Sequence, residues 1–509
     1  MLGSKRFAFN VLMNWSATAV GMVVPFFLTP FVVRSLGPTA YGIWILAVST
    51  VSYLSLFDLG MRSAVIRFVS KAQAQGEVQE LKSAVGAALW FRLLIAGVVA
   101  LISVLLAVAF PHLFKVPQDL RSAGQITVLL CALGMAITLV SGVFGGILAA
   151  IHRFDLLSTI TMVQTLARAG GVLILLHSGR GLVSLAWWEL TVVTLAGVLT
   201  IGIALKIFPH CRVRIARPEL QSLKSLWSYS LITFVWMIAV QIVISTDNLV
   251  VGAFLSVGLV AYYSIGGSLI TYSGQVVSSL CTTFTPLASG LEASGKFDEL
   301  RALLLRGTQA TLAVAMPIAL TLFFRGRTFI GLWMVPRYIE ISGTVLQILM
   351  ISQILSTGVL TAGYIMMAIG KHKAAAKWSL AEALINLGLS LILVKRMGLY
   401  GVAWGTVVAV SIVTVSFWPR YVRQILDIPI RTYVWQGWGK VLLSSIPFAA
   451  TCFIADRFWH PHSLVIYFAQ VVLTLPVYGL SLLLAFRGDA TEIFSSLRRP
   501  RAREAELAS

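Results

Sequence analysis

The stretch SKAQAQGEVQELK (residues 70–82) returns as SGLEASGKFDELR (residues 289–301), with Ser70 opposite Ser289, Gly76 opposite Gly295 and Glu80 opposite Glu299. Three more pairs keep the same order. SLGPTAYGIWILAVS (35–49) matches FLSVGLVAYYSIGGS (254–268), AAIHRF (149–154) matches MAIGKH (367–372), and GLVSLAWW (181–188) matches GLYGVAWG (398–405). Each pair alone is weak. Four in order, all about 219 residues apart, mark an internal repeat.

Between these short polar stretches the chain is almost entirely apolar. Of its 509 residues 58% are hydrophobic and 11% charged, where a soluble domain carries roughly 25% charged residues. Apolar runs of about 20 residues, enough to cross a hydrocarbon core of about 30 Å, recur throughout. Lipid offers backbone groups no hydrogen-bond partner, and the runs lack the alternation of barrel strands, so each is expected to be a helix. The expected fold is an all-α integral membrane protein of about fourteen transmembrane helices. It divides into an N-lobe (1–207), a basic cytoplasmic linker (208–224), a C-lobe (225–423), two additional helices (424–486) and a polar cytoplasmic tail (487–509). Six helices per repeat is an even number, so the two copies share one orientation. They form a parallel repeat of the kind secondary transporters use, with lobes around a central cavity and alternating access by rocking.

The formal net charge of +20 is used by this topology. Most of the 39 Lys and Arg fall on the N-terminus, the alternate loops and the tail, which places both termini in the cytoplasm of a multi-pass protein. No nucleic-acid partner is needed to explain the charge. Lys5 and Arg6 precede an apolar run too long for a secretory signal, so a retained first helix is expected. The four cysteines are isolated and the seven histidines lack ligand spacing, which gives no metal site. There is no G-x-x-x-x-G-K-[ST] loop for ATP, and the outer loops are too short for a catalytic domain. A transporter is expected, not an enzyme.

Charges inside spans are costly and usually face a bundle interior or cavity. Arg168 in the fifth span and Glu189 in the sixth lie at similar depth and are expected to pair, either as a structural link or as a substrate or gating element. Asp247 and Glu382 are candidates for coupling to H⁺ or Na⁺, with interfacial capping or helix–helix hydrogen bonding as the plainer alternative. Arg92 is expected to snorkel from a shallow position. The ninth span is expected over 302–324, which leaves Arg325 in an outer loop. Pro25 and Pro30 are expected to kink the first helix, as a gate or as static packing. In SLFDLGMRSAVIRF (55–68), Asp58 and Arg62 are spaced to pair on one helix face, with Arg67 further round. The matching stretch of the second repeat has no charge, so the cluster suits an asymmetric cytoplasmic contact for an anionic head group, although topology alone also explains the arginines.

The segments RSLGPTAYGIW, DLGMRSAVIRF, STDNLVVGAFLSVGLVAYYSIG and AIGKHKAAAKWSLAEALINLGLSLILVKRMGLYGVAWGT resemble the polysaccharide transporter branch of the multidrug/oligosaccharidyl-lipid/polysaccharide exporter superfamily, over most of residues 5–420. The resemblance implies two six-helix lobes around a cavity. It also implies a flippase that moves undecaprenyl-pyrophosphate-linked oligosaccharide across a bacterial-type cytoplasmic membrane, with a polysaccharide polymerase and glycosyltransferases as associated activities. Arginine suits a pyrophosphate because its planar fork stays charged and pairs with phosphate oxygens. Arg62, Arg67, Arg92 and Arg168 are therefore the head-group candidates. The alternatives are a cation-coupled multidrug or metabolite exporter, and a lipid II flippase. The last resembles this chain in helix number, but its arginines on the first and eighth helices are missing here.

Overall fold

The computed structural model describes residues 4–209 and 220–486. Residues 210–219 of the expected linker and the whole expected tail lie outside the described residues. Every regular element among the described residues is helical. The first repeat comprises α1 (Ser4–Ser52), a 3₁₀ turn (Tyr53–Asp58), α2 (Met61–Gln75), α3 (Val78–Leu113), α4 (Arg121–Ala150), α5 (Phe154–His177) and α6 (Leu182–Ile207). The second comprises α7 (Leu220–Phe254), α8 (Val257–Cys281), α9 (Phe284–Ala293), α10 (Phe297–Trp333), α11 (Ile339–Ala368), α12 (Lys373–Met397) and α13 (Leu399–Ser416). A short amphipathic α14 (Trp418–Leu426) follows. Then α15 (Ile430–Thr432) runs through a π turn (Tyr433–Gly439) into α16 (Lys440–Ser444), α17 (Ile446–Phe458) and α18 (Leu464–Ala485).

Twelve helical segments among the described residues are long and apolar enough to cross a membrane, against the fourteen expected. Two causes account for the difference. Leu12–Gln75 is one continuous segment of 64 residues where two spans were expected, and α8 is diluted by Ser, Gly and Tyr. The long segment is not straight: Gly37 takes φ 74° and ψ 169°, non-helical values that glycine tolerates, and Pro38 starts the next stretch. Pro25 and Pro30, the expected kink sites, lie inside α1, whose non-helical backbone is confined to Gly37. A proline removes one intrahelical hydrogen bond, and helix packing absorbs that loss without breaking the turn. Likewise α10 continues to Trp333, nine residues past the expected end, so Arg325 lies inside the helix and not in a loop.

The repeat is visible as hydrogen bonding. At the end of α4 the amides of Ile151, His152 and Arg153 bond the carbonyls of Ile147, Ala149 and Leu148, which leaves out Ala150. Ser70 Oγ of α2 donates to that Ala150 carbonyl at 3.3 Å. At the end of α11 the amides of Ile369, Gly370 and Lys371 bond Ile365, Met367 and Met366, and Ser289 Oγ of α9 donates to the remaining Ala368 carbonyl at 3.1 Å. The last carbonyls of a helix lack intrahelical donors, and the same serine supplies one in each repeat. The turns match as well: Gly76 and Gly295 are left-handed at φ 71° and 68°, and His152 and Gly370 at φ 58° and 70°. The α5–α6 and α12–α13 turns each hold a left-handed glycine, Gly179 at φ 73° and Gly398 at φ 60°, although the sequence pairing sets Gly181 opposite Gly398.

By contacts the chain forms two compact units, Met1–Ser264 with Ser379–Gly405, and Ile265–Trp378 with Thr406–Ser509. In the first, Val65, Val69, Val85, Ile147 and Leu148 build a core where α2, α3 and α4 meet. In the second, one core gathers around Leu300, Ile365, Trp418 and Val422, and another around Leu312, Phe448 and Tyr478. The amphipathic α14 buries Trp418, Tyr421 and Val422 and exposes Arg420 and Arg423.

Candidate functional site

Three sites in the first unit bring expected charged side chains together with partners. At the first, α5 and α6 form a hairpin through the left-handed Gly179. Arg168 Nε donates to Glu189 Oε2 and Nη2 to Glu189 Oε1, each at 2.6 Å. This is the expected pair, in the fork-to-carboxylate geometry that gives both strength and orientation. The helices meet closely because Gly171 of α5 has no side chain: a Cβ there would fall inside the Trp188 indole. Trp188 Nε1 also donates to the Ala167 carbonyl at 3.2 Å. The pair lines an open cleft of about 140 Å³ whose other wall is α1, with Pro25, Thr29, Tyr41 and Trp44. The Arg168 and Glu189 side chains are 40% and 20% exposed, so they line the cleft without being sealed. Pro25 therefore belongs to the cleft wall, whereas Pro30 does not line it.

At the second site Arg92 of α3 donates through Nη2 to Asp58 Oδ1. This corrects two expectations. Asp58 pairs with Arg92 and not with Arg62, because Leu59 and Gly60 are both left-handed (φ 50° and 72°) and end the helical register between Asp58 and Arg62. Arg92 does not snorkel. It is 1% exposed, and its Nε and Nη1 have no hydrogen-bond partner. Arg62 and Arg67 are exposed on α2, apart from that pair.

At the third site Asp247 of α7 is buried at 6% exposure. It accepts from the Tyr263 hydroxyl of α8 at 2.6 Å and from Ser390 Oγ of α12 at 3.4 Å. Uncharged groups continue the network toward α1. Tyr53 bonds Thr246, Gln241 Nε2 donates to Ser52 Oγ and Ser245 Oγ, both at 2.6 Å, and Asn248 Nδ2 donates to Ser49 Oγ at 3.3 Å. Glu382 is half-buried on α12, two turns from Ser390, and takes part in no ion pair among the described residues. Tyr53, Tyr263 and Ser390 were not anticipated from sequence, because hydroxyls scattered over three spans carry no local pattern. No group of three or more His, Cys, Asp or Glu side chains arranged to hold a metal occurs among the described residues.

The sequence profile of the family described as polysaccharide biosynthesis protein matches residues 7–292, more than half of the chain. The uncharacterized membrane protein EpsK of Bacillus subtilis (strain 168) is 25% identical over 439 residues, covering 82% of this chain and 84% of that protein. The probable low-salt glycan biosynthesis flippase Agl15 of Haloferax volcanii is 22% identical over 466 residues, covering 91% and 92%. Among solved structures, the lipid II flippase MurJ in an inward closed conformation shares the fold, with a TM-score of 0.75 at 16% identity over 94% of this chain and 99% of that one.

Proposed function

We propose, because this chain belongs to the polysaccharide biosynthesis protein family, that it is the flippase of a polysaccharide pathway and carries undecaprenyl-pyrophosphate-linked oligosaccharide from the cytoplasmic to the periplasmic leaflet. The observation that carries this reading is the Arg168–Glu189 pair on the wall of an open cleft. A pyrophosphate has no place in hydrocarbon and needs a cation it can approach through water. Arg168 is half-held by Glu189 and half-exposed, so it can exchange a carboxylate for a phosphate and return. Such a contact is weak enough to release its cargo, which a tight cage of arginines would not be.

In this reading the two six-helix repeats, 1–207 and 225–423, are the moving lobes, with access alternating between the two sides. Both termini are cytoplasmic in the inner membrane, and the exposed Arg62 and Arg67 of α2 meet the head group first. Arg92, sealed against Asp58, positions the start of α2 and does not touch cargo. Asp247 and its hydroxyl partners are the proposed point of coupling to H⁺ or Na⁺. That buried carboxylate, with Glu382, also favours a cation-coupled exporter of small molecules as the second reading. A polymerase and glycosyltransferases would supply and consume the cargo.

The test is deletion of the gene followed by lipid extraction. Undecaprenyl-linked sugars should accumulate on the cytoplasmic side. If they do not accumulate, the flippase reading fails.

A further inference from the structure

In the second unit one buried cluster plays no part in the proposed transport. Arg325 lies on α10, two turns before its end at Trp333, and is 1% exposed. Its Nη2 donates to Gln470 Oε1 of α18 and, at 3.5 Å, to the carbonyl of Trp459 just after α17. Its guanidinium carbon sits 4.9 Å from the centre of the Tyr467 ring. Beyond these contacts the cluster has donors without acceptors: Arg325 Nε and Nη1, Gln470 Nε2 and the Tyr467 hydroxyl all lack a hydrogen-bond partner. Arg325 takes part in none of the ion pairs among the described residues. The neighbouring carboxylate, Asp456 of α17, accepts instead from Thr328 Oγ1 at 2.7 Å.

A guanidinium removed from water with no carboxylate bonded to it is a costly arrangement in a protein interior. The aromatic face of Tyr467 offsets a part of that cost. Water would satisfy the idle N–H groups but bring no negative charge into contact with the guanidinium. A compact anion does both, since charge-assisted hydrogen bonds from a guanidinium are the strong ones. The donor set is small and has only one charged member, so it suits a monovalent ion and not a phosphate.

We propose that Arg325, Gln470 Nε2 and the Tyr467 hydroxyl hold a small monovalent anion, chloride by size and abundance, and that this ion fastens α18 to α10. A ligand that binds only the folded state raises stability with its concentration. The full-length protein, purified in detergent, is unfolded thermally while sodium chloride replaces sodium gluconate at constant ionic strength. The midpoint should rise by a few degrees and saturate, and bromide should act alike. Arg325→Met should abolish the response, and Tyr467→Phe should move half-saturation several-fold higher in chloride. If Arg325→Met does not fold, Gln470→Leu carries the same test, and its response must weaken. Equal midpoints in chloride and gluconate would mean that the cluster holds only water, and would overturn the proposal. A variant that responds like the wild type would overturn it too.

Discussion

Arg168 and Glu189 hold each other by two 2.6 Å hydrogen bonds while both side chains remain partly exposed on the wall of a cleft. A pair serving packing alone has no need to border a cleft. A pair serving cargo alone has no need of two-point geometry. This one meets both conditions, so its chemistry can be separated from its contribution to folding.

Glu189→Gln keeps the side-chain shape and one acceptor but removes the counter-charge. Because Arg168 lines a cleft and is not sealed, the stability loss should lie within about 1.5–3 kcal/mol, the range for hydrogen bonds to charged groups. Polysaccharide export should fall well beyond what that loss explains. Arg168→Lys, which keeps charge but loses the fork, should fall with it. Export assays beside thermal unfolding check this, and wild-type export in both variants would make the pair purely structural.

Gly171→Ala forces a methyl group into the Trp188 indole. Overpacking of this kind costs roughly 1–3 kcal/mol. A lowered unfolding midpoint is expected, with partial recovery when Trp188→Leu makes room. A midpoint unchanged by Gly171→Ala would show that α5 and α6 separate more easily than their packing indicates.

Arg62→Ala removes an exposed cation from α2. Insertion and stability should stay normal, since surface changes usually lie within about 0.5 kcal/mol, while export decreases. If export is unchanged in cells that insert the variant normally, Arg62 serves topology alone.

The two partners of the Arg92–Asp58 pair should not be equivalent. Asp58→Asn leaves a guanidinium stranded at 1% exposure, whereas Arg92→Met leaves a carboxylate whose side chain is already 24% exposed. Removing one partner of a buried pair costs roughly 3–5 kcal/mol, and the upper part of that range should fall to Asp58→Asn. Denaturation of both variants in detergent gives the order. A larger loss from Arg92→Met would contradict it.

Ser70→Ala and Ser289→Ala each leave a helix-end carbonyl without its donor. Each should cost about 1 kcal/mol, the net worth of one hydrogen bond. The two sites share no partner, so the double variant should lose the sum within about 0.5 kcal/mol.

The repeat was legible in sequence because backbone requirements leave marks. Glycines stand where φ must be positive, and a serine stands where a helix-end carbonyl needs a donor. The Arg168–Glu189 pair was legible because the rise of a helix fixes depth, and two charges at one depth on adjacent spans have few other partners. Depth does not fix the face, however, so the burial of Arg92 could not be read. Leu59 carries no sign of its left-handed backbone, and that residue, with Gly60, separates Asp58 from Arg62. Arg325 was expected in a loop because the expected ninth span ends at 324, whereas α10 runs on through it to Trp333.

His152 holds the left-handed conformation that Gly370 holds at the matching turn of the second repeat. A side chain in that conformation costs roughly 1–2 kcal/mol more than glycine, so the first copy bears a penalty the second avoids. If both copies descend from one duplicated ancestor, the turn has been inherited as a shape while its residue drifted. Ancestral reconstruction of this chain should therefore trust backbone positions such as 152 and 370 above the identities of the side chains around them.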